Sequence, residues 1–207
     1  NVDGDQIHEV LKKLSPKSTL FIVVSKTFTT IETITNADIA KKWFASNEKN
    51  KDISKNFIAV SSNVKAVKEF GIHHSNIFPM WDWVGGRFSL WGSVGLAINL
   101  FIGSKNFNDL LMGANEMDDH FKFGPISKNI PLLAACISIW YNNFFDYETH
   151  AIIPYNQAMK SFSAYLQQAS MESNGKQTSR TGKFIDYHSG SIIWGQVGTN
   201  AQHSFFQ

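Results

Sequence analysis

One cysteine in 207 residues, Cys136, excludes an internal disulfide framework and fits a reducing, cytoplasmic compartment. It lies in the apolar run Leu132 to Trp140, where a buried, inert thiol is expected. Net charge is nearly absent as well. A formal +2, with lysines scattered rather than striped, gives no electrostatic footprint for nucleic acid. No apolar run reaches the length of about 20 residues that a membrane-spanning helix needs. The histidines are dispersed, and the adjacent pair His73-His74 has no cysteine or carboxylate cluster beside it, so a metal site is not expected. Low-complexity segments and short internal repeats are missing too. The start, Asn1-Val2-Asp3-Gly4-Asp5, resembles neither a signal peptide nor an initiating methionine, and the last residues read as the start of a further helix; the chain is expected to begin and end inside a longer protein.

What is present is a globular composition, 43% hydrophobic, with an alternating pattern. Ile7, Val10, Leu11 and Leu14 predict a short amphipathic helix stopped at Ser15-Pro16. Leu20 to Val24 predicts a buried strand. Ile34, Ala37, Ala40, Trp43 and Phe44 recur at helical spacing, and the polar stretch Asn47 to Ser54 is expected to be a loop. Phe57 to Val60 predicts a second strand, Val64, Val67 and Phe70 a helix closing at Gly71, and Ile77 to Met80 a third strand. Such alternation predicts an α/β protein with parallel sheet covered on both faces. Ser93 to Ile102 is expected to form a buried helix, and Lys105 to Phe121 an amphipathic one with Phe107, Leu110, Leu111, Ala114, Met117 and Phe121 on its apolar side. The pattern breaks at Phe123-Gly124-Pro125, which places a domain boundary between 1–122 and 123–207. An apolar helix from Lys128 to Tyr141, a strand at His150 to Pro154, a helix at Gln157 to Gln168 and a strand at Ser191 to Trp194 follow.

Chemistry concentrates in three places. Ser25-Lys26-Thr27-Phe28-Thr29-Thr30 joins a strand to a helix, the layout of an anion seat: backbone N–H groups and hydroxyls gather at the positive end of the helix. One hydroxyl there would read as a cap on the helix, from Thr29 or Thr30; four hydroxyls and a lysine in six positions favour phosphate. Gly85 and Gly86 permit close approach of backbone to ligand, with positive φ open to them. Arg87 follows where strand meets helix, either facing a ligand or stacked on Trp81, Trp83 or Trp91. Glu172 reads, on its residues alone, as an ordinary carboxylate in a turn after Gln168. The turn Gly195 to Asn200 is a weak candidate for a second anion site, since such turns are common connectors.

Three strings, in order, resemble the glucose-6-phosphate isomerase family: Ser25 to Thr30 with Glu32-Thr33, Trp81-Asp82-Trp83-Val84-Gly85-Gly86-Arg87-Phe88-Ser89-Leu90-Trp91, and Gln167-Gln168 with Met171-Glu172-Ser173-Asn174-Gly175-Lys176. The resemblance spans essentially the whole chain. It implies two domains with doubly wound parallel sheets of sugar-isomerase type, each incomplete here: the C-terminal part of the first in 1–122 and the N-terminal part of the second in 123–207. It implies a cytoplasmic homodimer, without cofactor or metal, that interconverts glucose 6-phosphate and fructose 6-phosphate through a cis-enediol(ate) in glycolysis and gluconeogenesis.

By the same resemblance, Ser25, Lys26, Thr27 and Thr30 hold the sugar phosphate, and Gly86 and Arg87 lie beside the reacting carbons. Glu172 is the catalytic base, Gln168 contacts substrate, and Glu32 orients a ring-opening histidine. The family's Gly-Gly-Ser phosphate turn, that histidine and a late lysine do not occur in the chain, and His203 is not that histidine. Ile31, Ser170 and Gln196 also depart from the family pattern. If these residues were the whole protein, ring opening should fail. Two other readings stand beside this one: a non-catalytic sugar-phosphate-binding module, which would need the seat but no base, and an inactive fragment of the isomerase.

Overall fold

The structure, a computed structural model, describes residues 1–48 and 52–206. It divides into two compact units, 1–109 and 110–207.

In the first unit, helix α1 (Gly4–Leu11) is capped by the Asp3 carboxylate, which accepts the Asp5 N–H. Strand β1 (Phe21–Val24) leads into helix α2 (Ile31–Asn47), strand β2 (Phe57–Ser61), helix α3 (Val64–Phe70) and strand β3 (Ile77–Pro79). The strands form a parallel sheet in the order β1-β2-β3, with Val23 opposite Ala59 and Val60 opposite Phe78. Parallel strands need crossovers, and α2 and α3 supply them. The apolar runs read as buried strands are strands, with edges within a residue or two of expectation. α3 ends on Gly71 at φ +105, a backbone conformation that glycine alone adopts without steric cost. Part of the expected loop Asn47 to Ser54, residues 49–51, lies outside the described residues.

The core sits between α2, α3 and the sheet: Val23, Ala37, Ala40, Phe44, Phe57, Ala59 and Val67 are buried. Phe57 is fully buried, stacked on Phe21 at 4.7 Å and edge-on to Phe44 at 6.0 Å. Small residues on α2, Ala37 and Ala40, leave room for those rings. Beyond β3 run a 3-10 helical segment, Gly86–Trp91, and helix α4 (Leu96–Ile102).

The expected burial of 93–102 is not found. Only Gly95 is buried in this stretch, and Phe101 is 90% exposed. A helix that is apolar all round hides every face only where other elements surround it, and here they do not. Gly95 is buried because the Phe107 ring presses against it. Phe107 begins the apolar stripe of helix α5 (Ser104–Phe123), the helix in which the division between the units falls, and it is the one buried residue of that stripe.

The second unit holds the rest of α5, helix α6 (Ile130–Phe144), strand β4 (Thr149–Ala151), helix α7 (Phe162–Leu166), a π-helical segment Gln167–Glu172, strand β5 (Ile192–Trp194) and helix α8 (Gly198–Phe205). β4 and β5 pair in parallel. Cys136, expected to be buried, is exposed on α6, together with Ile137, Ile139 and Trp140. Gly195, at φ +139, brings the backbone so close to Ile152 that a Cβ would stand 2.0 Å from its carbonyl oxygen. Tyr155 packs on Gly198 in the same way. The glycines of 195–200 thus serve chain packing, the connector reading of that turn.

Phe57→Ala should lower the unfolding free energy of the first unit by about 3–5 kcal/mol, since it empties a site walled by Phe21 and Phe44 that cannot collapse freely. Urea denaturation followed by tryptophan fluorescence measures the loss.

Candidate active site

In the first unit the site is built at the C-terminal ends of the three parallel strands. Ser25, directly after β1, is buried; its N–H donates to the Val60 carbonyl at 3.1 Å, and its hydroxyl reaches the Thr30 hydroxyl at 3.3 Å. Thr30 is the N-cap residue of α2, yet its side chain makes no capping bond. The cap reading of that threonine fails for a geometric reason: its hydroxyl turns to Ser25 and leaves the first turn of the helix to other acceptors. Thr27 and Thr29 share a hydroxyl contact of 2.7 Å and are exposed. Between them Phe28 takes φ +55, uncommon for a residue with a Cβ, and buries its ring edge-on against Phe70 at 5.7 Å. That curl lets the hydroxyls on either side of it meet.

Residues that sequence reasoning passed over hold this turn from behind. The Lys26 carbonyl accepts three donors: the Ser62 N–H at 3.0 Å, the Ser61 hydroxyl at 3.0 Å and the Ser62 hydroxyl at 2.7 Å. The Asn63 side-chain amide donates to the Thr27 carbonyl at 3.0 Å, while its oxygen caps α3 by accepting the Ala66 N–H at 3.1 Å. The polar run Ser61-Ser62-Asn63 straight after an apolar strand was the available signal. It is read only when β1 and β2 are known to be neighbours.

The Lys26 ammonium reaches the other side of the site, donating to the Val84 carbonyl at 3.1 Å and to the Asp82 carbonyl. Three residues past Val84, Arg87 is half-buried in the segment Gly86–Trp91, its guanidinium 5.9 Å from the Phe88 ring. Phe88 is a ring neighbour that the sequence reading did not name. Nor does positive φ operate here: Gly85 has φ −70, and Gly86 is not among the residues with positive φ. What Gly86 supplies is room, because a Cβ there would meet nothing within 4 Å. Glu32, in the first turn of α2, is exposed. Ser25, Lys26, Thr27, Thr30, Gly86 and Arg87 are therefore gathered at one end of one sheet, where ligands bind in open α/β folds.

In the second unit Gln168 and Glu172 share the π-helical segment Gln167–Glu172, and both are exposed. The expected loop position of Glu172 gives way to helical backbone, continuous with α7. The segment is anchored on both sides of Gln168: the Gln167 amide donates to the Ile193 carbonyl at 2.9 Å, and the Met171 sulfur accepts the Ile193 N–H at 3.4 Å. Helical backbone runs on past Glu172 to Asn174, and the Lys176 ammonium donates to the Glu172 carbonyl at 2.6 Å. π-Helical turns are rare and concentrate at functional sites. Among the described residues no group of three or more His, Cys, Asp or Glu could hold a metal ion, and no helix is long and apolar enough to cross a membrane.

The phosphoglucose isomerase family profile matches residues 1–207. The chain belongs to that family. It is 58% identical, over its entire length, to a glucose-6-phosphate isomerase of Christiangramia forsetii, of which it covers 38%. A crystal structure of a glucose-6-phosphate isomerase from Chlamydia trachomatis superposes on the full chain with a TM-score of 0.93 at 39% identity, the chain covering 40% of that protein. A hypothetical protein from Thermus thermophilus shares the fold, with a TM-score of 0.82 at 24% identity over 99% of the chain and 47% of that protein. The chain thus spans about two fifths of the length of the isomerases it matches, and its α/β fold with parallel strands in two sheets is theirs.

Asn63→Ala removes a helix cap and a strut under the candidate anion turn at 25–30 together. Stability should fall by about 1–2 kcal/mol, and inorganic phosphate should bind more weakly; denaturation and isothermal titration in parallel read both effects.

Proposed function

We propose that the protein is an aldose–ketose isomerase interconverting glucose 6-phosphate and fructose 6-phosphate, and that this chain carries part of each of two sugar-isomerase domains, 1–122 and 123–207. Supporting the domain reading are two small parallel sheets and the uncovered apolar faces of α4, α5 and α6. The observation that carries the functional reading is the first turn of α2, left uncapped by Thr30 beside a curl of hydroxyls, in a chain matching the isomerase family from end to end.

In this reading the phosphate rests on Ser25, Thr27 and Thr30 and on the backbone at Lys26, where helix N–H groups and hydroxyls favour a dianion. Fixing that end leaves the open-chain carbons at a set distance, so orientation is settled before chemistry begins. The Glu172 carboxylate takes the proton from C2 and returns it at C1, while the hydroxyl proton passes from O2 to O1. As the proton leaves, charge develops on the carbonyl oxygen, and the Arg87 guanidinium stabilises it, with Gly86 leaving space for the sugar. Gln168, on the same helical segment as Glu172, contacts substrate. Glu32 orients the group that opens the ring, a step assigned to no residue of this chain. Proton transfer of this kind requires neither a hydride carrier nor a metal. The sugar phosphate is the substrate, and the working protein is a cytoplasmic homodimer.

Glu172→Gln in the complete gene product should slow isomerisation by at least about 10²–10⁴-fold and abolish exchange of the C2 proton with solvent, while affinity for inorganic phosphate stays nearly intact. Deuterium incorporation followed by NMR gives the exchange rate. Wild-type exchange in that variant refutes the base. If the unaltered protein binds phosphate but exchanges no proton at all, it is a binding module.

A further inference from the structure

The sequence reading gives Lys26 to the phosphate, yet its ammonium points elsewhere. Of its three N–H donors, two are spent on backbone carbonyls 56 and 58 residues away, those of Asp82 and Val84. Both acceptors belong to the loop that follows β3. The same residue is held at its other end by the donors from Ser61 and Ser62, which follow β2, and it is itself the second residue past β1. One residue, through its backbone carbonyl on one side and its ammonium on the other, therefore links the ends of all three strands.

The loop it grips leads straight into the candidate electrophile. Trp81 and Val84 close a turn, with the Val84 N–H on the Trp81 carbonyl at 3.0 Å; Gly85 and Gly86 follow, and the Phe88 N–H bonds back to the Gly85 carbonyl at 3.1 Å. Two glycines give that stretch little stiffness of its own. The hold on Val84 gives the start of the segment bearing Arg87 a direct reference to the phosphate turn.

We propose that Lys26 is a positioning residue: its ammonium straps the Asp82–Val84 backbone to the phosphate turn and so sets the distance between bound phosphate and the Arg87 guanidinium. The assignment rests on the isomerase reading above and refines it. Binding of the phosphate falls to hydroxyls and backbone N–H groups, and the lysine charge acts on catalysis through Arg87. A displacement of about 1 Å in such a group costs on the order of 10²-fold in rate.

The test compares wild type with Lys26→Met in the complete gene product. Three quantities are read: kcat and KM for the hexose phosphate, the dissociation constant of inorganic phosphate, and hydrogen exchange at the amides of residues 84–88, with those of β2 as an internal reference for intact folding. The strap predicts kcat down by about 10–100-fold, the phosphate constant changed by less than about threefold, and faster exchange at 84–88 alone. Phosphate binding weakened by more than about tenfold, with unchanged exchange at 84–88, overturns it and returns Lys26 to the ligand set. Should the Met variant not fold, Lys26→Gln, which keeps a neutral amide with two N–H donors on a shorter arm, carries the same comparison. A wild type without isomerase activity sinks the isomerase reading; the exchange measurement still decides whether the strap exists.

Discussion

The carbonyl of Lys26, met by three donors from Ser61 and Ser62, is the constraint on which the candidate site of the first unit depends. A carbonyl at the end of a strand has lost its ladder partner and must find another. Here the partners come from the end of the neighbouring strand, so β1 and β2 terminate at a common level. The turn from Ser25 to Thr30 then has a floor. The Lys26 ammonium carries the same fixation to the loop after β3.

Packing and chemistry divide the first unit cleanly. Below, Phe21, Phe44 and Phe57 lock α2 onto the sheet through stacked and edge-on rings, and Ala37 and Ala40 let the helix approach. Above, polar side chains satisfy strand ends and leave space at Gly86. The second unit uses another device. Its candidate base rides on a helical segment of π geometry, pinned by Gln167 and Met171 to β5, and a carboxylate so mounted has an oriented backbone behind it, which a loop would not supply.

The legible elements were those with a strong period and a clean stop. β1, β2, α2 and α3 follow from apolar runs, helical spacing and Gly71, because a buried strand or an amphipathic helix announces the face it hides. The burial of 93–102 and of Cys136 was misread for the complementary reason: hydropathy says what a helix would hide, not whether a neighbour is there to hide it. The gathering of hydroxyls after a strand was legible from composition. Its bracing by Ser61, Ser62 and Asn63 was not, being a relation between two strand ends 36 residues apart.

The order of residues by itself determined the α/β alternation, the hydroxyl-rich turn and the family, since each is written in local spacing and in contiguous strings. Tertiary structure alone decided that Thr30 leaves its helix uncapped, that Phe28 curls the turn at φ +55, that Glu172 stands on π-helical backbone and that the Lys26 ammonium grips the carbonyls of Asp82 and Val84. Each of these depends on which distant group satisfies a hydrogen bond or fills a space. A hydrogen bond chooses its partner by distance and angle, and those exist only once the chain has brought remote segments together.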